Sequence, residues 1–152
     1  MADLALAGAL AGALAGALAG APAPAIAAAL AMPPVLLLRG AVAAVWLYEG
    51  LWCKLLGGDP NQLTVVEAVP RLGPRVGALF LRALGAVETG MAAWAMSGLE
   101  PRACALAQTA LLVTLNANGI LWSRHLIHDP AGMVVKNFSF LVLAWVAASA
   151  SS

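Results

Sequence analysis

Between residues 34 and 150 the chain runs as four long apolar stretches, at about 34–56, 75–97, 102–122 and 135–148. Each is closed by proline, glycine or a short polar turn. A helix of about 20 mostly apolar residues matches the hydrocarbon thickness of a bilayer. In that medium every backbone polar group must be satisfied internally, which helices do within one segment. The pattern therefore predicts an all-α, integral membrane, four-helix bundle that passes the lipid bilayer several times. Composition agrees: 62% of residues are apolar and 10% charged, with mean hydropathy +0.91, whereas soluble domains carry about 25% charge. A net charge of +1 with no basic cluster gives no basis for nucleic-acid binding.

Residues 1–34 stand apart as an Ala/Gly/Pro-rich, low-complexity extension, and residues 35–150 form the membrane domain. Residues 4–21 repeat LAGA with Gly8, Gly12, Gly16 and Gly20 in register. Three readings stay open. They are an extra helix with a small-residue ridge for close helix approach, a signal peptide cut near residues 21–25, and an extension left untranslated by a start at Met32. Pro22, Pro24, Pro33 and Pro34 break the chain after the repeat.

The stop signals organise the rest. Gly57-Gly58-Asp59-Pro60 ends helix one and Gly98-Leu99-Glu100-Pro101 tightly joins helices two and three, making them antiparallel neighbours. Residues 61–74, with Leu63, Val66 and Val69 at three-residue spacing, suit a short amphipathic turn on the membrane surface. Helix four, opening near Val135, is the shortest. The connections after helices one and three hold Lys54, Arg71, Arg75, Arg124 and Lys136, against Arg39 and Arg102 on the other side. The positive-inside rule then places the first group in the cytoplasm, with the start of helix one and the C-terminus outside.

Ionisable groups inside spans cost roughly 2.5–3.5 kcal/mol on insertion scales and mark sites or structural pairs. In VWLYEGLWCKLL, residues 45–56, Trp46, Glu49 and Cys53 share a helical face beside Gly50. Lys54 lies five residues beyond Glu49, about 140° round an α-helix, so each is expected to find its partner elsewhere. In helix two, Glu88 shares a face with Leu81, Gly85 and Ala92, and Gly85 would admit a second helix close to Glu88. Arg82 is near an end and can snorkel. At the start of helix four, Lys136 and Asn137 offer donors. The candidate cluster is thus Glu49, Lys54, Glu88, Lys136 and Asn137, either enclosing a small site or cancelling charge and fixing helix register. Gln108 and Asn116 form an inward amide pair in helix three, read as structural glue. The five tryptophans lie mostly toward helix ends, as interface anchors do. No metal site is expected: His125 and His128 with Asp129 would need further ligands, and Cys53 and Cys104 are each alone.

Three patches, WLYEGLWCKLL at 46–56, GAVETG at 85–90 and HDPAGMVVKN at 128–137, resemble the DoxX-like proteins of the DoxX/MauE group in order and spacing. That resemblance picks out Trp46, Gly50, Lys54, Glu88, Pro130, Lys136 and Asn137. It implies a four-helix membrane bundle associated with redox systems, the name coming from small subunits of a thiosulfate–quinone oxidoreductase. A non-catalytic or accessory component in a bacterial-type cytoplasmic membrane, with a membrane or peripheral redox protein as partner, is the leading functional expectation. A small quinone- or lipid-handling enzyme is the second, with Glu49 or Glu88 carrying protons, Lys54 or Lys136 facing an anionic oxygen, and quinone as the one cofactor the chemistry suggests. A small transporter is the third, disfavoured because the four spans show neither an internal repeat among themselves nor a pair of interrupted helices.

Overall fold

A computed structural model describes Gly12, Gly16, residues 34–70 and residues 72–151. The chain divides into two compact units, Met1–Pro33 and Pro34–Ser152. Gly12 and Gly16 are helical; otherwise the three readings of residues 4–21 fall outside the described residues.

The second unit is all-α, with no strand among the described residues. Helix α1, Val35–Trp46, runs straight into a π-helical segment, π1, Leu47–Leu55. The short α2, Asn61–Glu67, follows, then α3, Gly73–Ser97, and α4, Pro101–Trp122. A 3-10 turn at Arg124–Leu126 leads into α5, Pro130–Ser149. Four of these units, counting α1 with π1, are long and apolar enough to cross a membrane: 21, 25, 22 and 20 residues among the described residues.

Local chemistry sets the boundaries. α3 ends where Gly98 takes φ 68, a left-handed conformation in which glycine has no side-chain penalty. α4 starts on Pro101 and α5 on Pro130, each using proline where the first turn needs no donor. Asp129 Oδ1 accepts from Gly132 N at 2.9 Å and caps α5. That cap moves the start of the last helix from the expected Val135 back to Pro130. It remains the shortest span.

In the bundle, α1 lies between α3 and α5, and α4 packs chiefly on α5. α3 and α4, expected as close neighbours from their tight connection, touch only sparsely. The connection fixes their ends together but their apolar faces turn to different partners. The core is Leu38, Val42, Ala43 and Trp46 of α1 against Ala92 of α3 and Ala144 and Ala147 of α5. Trp46 meets Phe140 edge to face at 5.5 Å. Only 17–33% of each span's most apolar window is buried inside the protein, so the outer apolar surface, including Leu79, Leu106, Leu121 and Phe138, faces lipid. The protein is an integral, multi-pass membrane bundle.

Candidate functional site

The π1 segment carries the densest chemistry. Its hydrogen bonds reach back five residues instead of four, as Leu56 N to Leu51 O at 2.9 Å illustrates at its end. In such a segment residue i+5 stacks over residue i, the relation that i+4 has in an α-helix. This reverses the expectation for Glu49 and Lys54. They do pair on their own helix: Lys54 Nζ donates to Glu49 O at 3.3 Å and to Glu49 Oε2 at 3.4 Å.

Gly50 and Gly85 then let two backbones meet. A Cβ on Gly50 would lie 2.7 Å from Glu88 Cβ, 2.7 Å from Gly85 O and 2.8 Å from Thr89 N. A Cβ on Gly85 would lie 2.9 Å from Gly50 O and 2.9 Å from Lys54 Cβ. This approach delivers Lys54 to Glu88, whose Oε2 is 2.7 Å from Nζ. Glu88 is 1% exposed, and that oxygen has no aligned hydrogen-bond donor. The contact is therefore an ion pair lying off the hydrogen-bond direction. Lys54 is buried beside it, while the Glu49 side chain keeps 42% of its surface exposed. From α2, Gln62 Nε2 donates to Glu49 Oε2 at 3.1 Å. One amine thus holds two carboxylates, one sealed and one facing out.

The other candidates divide between two places and the surface. Trp46 is fully buried in the core, not at an interface, and its Nε1 donates to Gln108 Oε1 at 2.8 Å. Gln108 in turn donates to Cys104 Sγ at 3.1 Å. Asn116 pairs with Asn137, whose Nδ2 donates to its Oδ1 at 2.6 Å, so the two inward amides of α4 each bridge to a different helix. Lys136 is exposed and has no ion pair among the described residues. It stands outside the cluster because neighbours on α5 point about 100° apart, so with Asn137 turned to Asn116, Lys136 faces outward. Arg82 is exposed.

Gln62 and Ser123 were not singled out by sequence. Ser123 is completely buried and donates to Val65 O at 2.7 Å, tying α2 to the end of α4. The signal for both was the amphipathic stretch after Pro60, which must rest on the bundle to bury its apolar side. Among the described residues no three His, Cys, Asp or Glu side chains converge as a metal site. His125 and His128 are exposed and Asp129 is engaged in its cap.

Chemically, the Lys54 cluster neutralises one buried carboxylate and leaves the second half-accessible, beside a crossing where Gly50 and Gly85 leave no room for a side chain of their own. A cleft elsewhere, at the far end of α1, is lined by Arg39, Trp94 and Gln108 and not by Glu49, Lys54 or Glu88. Comparison with curated proteins and with solved structures finds no match. Comparison with protein families matches residues 43–145, about two thirds of the chain, to the DoxX-like family. The match runs from the core of α1 through the π1–α3 crossing to Trp145 of α5. This small integral membrane protein belongs to the DoxX-like family.

Proposed function

We propose that the protein is a non-catalytic, accessory component of a membrane redox system, of the DoxX/MauE kind, in a bacterial-type cytoplasmic membrane. The observation that carries the reading is the closed crossing of π1 and α3. Lys54 neutralises Glu88 where a single added Cβ at Gly50 would already meet three atoms within 2.8 Å. An arrangement of that density fixes helix register. The bundle so locked serves as a docking partner in the membrane, with Lys54, Lys136 and Arg124 on the cytoplasmic side by the positive-inside rule.

One observation favours a second reading. Glu49 is half-exposed and linked through Lys54 to the sealed Glu88, so a proton-carrying carboxyl is reachable from outside the bundle, as a quinone- or lipid-handling enzyme requires. The experiment is purification of the native protein in a gentle detergent, with mass spectrometry of what co-elutes. The accessory reading expects a redox protein in stoichiometric amount. Bound quinone without a protein partner supports the enzyme reading instead.

A further inference from the structure

The first span carries a second cation whose surroundings are unlike those of Lys54. Arg39 lies near the start of α1, at the end of the bundle where α3 stops, α4 starts and α5 stops. Its Nε donates to Ser151 Oγ at 3.1 Å. Its guanidinium lies on Gly98, in the space that a Cβ there would occupy. It is partly buried, and among the described residues it pairs with no carboxylate and neither Nη group has an acceptor. Among the described residues, Glu100 and Arg102 are the other charged side chains at this end; both are exposed and neither is in an ion pair.

A shallow cleft opens beside the guanidinium, with Trp94, Gln108 and Ser151 as polar wall and Val42 and Ala144 as apolar floor. Gln108 is 2% exposed. Its oxygen is occupied by Trp46, and one Nε2 proton goes to a sulfur, which is a weak acceptor. The amide keeps a second proton. Two Nη groups, in a planar fork suited to an oxyanion, therefore line the cleft without an acceptor among the described residues. Leu99, exposed on lipid-facing surface, forms an apolar part of the rim.

We propose that this cleft binds the oxyanion head of a membrane amphiphile, with Arg39 as its charge partner. An anionic phospholipid is the source the setting favours, since the guanidinium stands at the end of the spans, where a headgroup can meet it from outside the cleft while the acyl chain follows the lipid-facing surface; free phosphate shares the same chemistry. The site is separate from the Lys54 cluster and independent of any redox partner.

The test is thermal unfolding of the full chain in nanodiscs of phosphatidylcholine with stepwise phosphatidylglycerol, and separately with inorganic phosphate, all at one ionic strength. Phosphatidylglycerol is expected to raise Tm by about 4 °C or more. Arg39→Gln should lose most of that rise and Arg39→Lys should keep part of it. Arg82→Gln, an exposed cation outside the cleft, should keep all of it. If inorganic phosphate alone reproduces the rise and Arg39→Gln abolishes it, the oxyanion is supported and its source is the free ion. Equal shifts in wild type and Arg39→Gln, or no difference between the two lipids, overturn the proposal. Should Arg39→Gln fail to fold, native mass spectrometry of the wild type decides: preferential retention of phosphatidylglycerol over phosphatidylcholine is expected, and equal retention overturns it.

Discussion

Where π1 crosses α3, two glycines bring backbones together and a buried lysine meets a buried glutamate at 2.7 Å. Where α4 meets α5, the helices are joined by neutral groups, Asn137 to Asn116 at 2.6 Å and Trp145 Nε1 to Thr109 Oγ1 at 3.2 Å. The first seam needs side chains removed to exist at all. The second needs only side chains long enough to reach. In lipid, apolar contact gives helices little reason to prefer one neighbour over another. Charge matched across a closed crossing supplies that preference steeply, and amides supply it gently. The two seams divide specificity from adhesion.

The comparison can be broken most forcefully at Lys54. Lys54→Met leaves Glu88 without its counter-charge and should cost about 3–5 kcal/mol of unfolding free energy in mixed micelles. Adding Glu88→Leu to the same chain should recover much of the loss. Strictly additive losses would remove the direct coupling from the account. Next in size, Gly50→Ala overpacks the crossing against the backbone of α3 and should cost about 1–3 kcal/mol by the same measurement. Gly90→Ala, with nothing within 4 Å of the new Cβ, should be neutral or stabilise by about 0.5–1 kcal/mol. Equal effects at the two positions would mean that helical glycine content, not close approach, sets stability. Smallest is Asn137→Ala at the second seam, expected to cost about 0.6 kcal/mol and less than about 2. A loss as large as that of Lys54→Met would erase the distinction between seams.

Much of the fold was legible because each helix end has its own local cause. Gly98, Pro101, Asp129 and Pro130 act within a few residues of where they stand, and the four apolar stretches are bilayer length. The face shared by Gly85 and Glu88 was also readable, since α3 is a regular α-helix and ordinary periodicity holds along it. The pairing of Glu49 with Lys54 was not. Five residues apart means opposite sides in α geometry and the same side in π geometry, and nine residues leave no periodic trace to tell which applies. Trp46 departs from the interface role read for the tryptophans as a group: it stands mid-span, where its indole N–H is met by Gln108 Oε1. Lys136 was misplaced because adjacent helical residues point about 100° apart, and Asn137 is the one turned to Asn116.

The π segment has one more consequence, for the membrane itself. An α-helix of 21 residues would cover about 31 Å, close to the hydrocarbon thickness of about 30 Å. Nine of those residues are wound in wider, shorter turns, so this span reaches less far than its length in residues suggests, while α3 has 25 residues to place. Neighbouring spans of unequal reach must tilt, or the lipid around the short one must thin. The winding that brings Lys54 to Glu49 thus also gives the protein a preferred bilayer thickness on one flank.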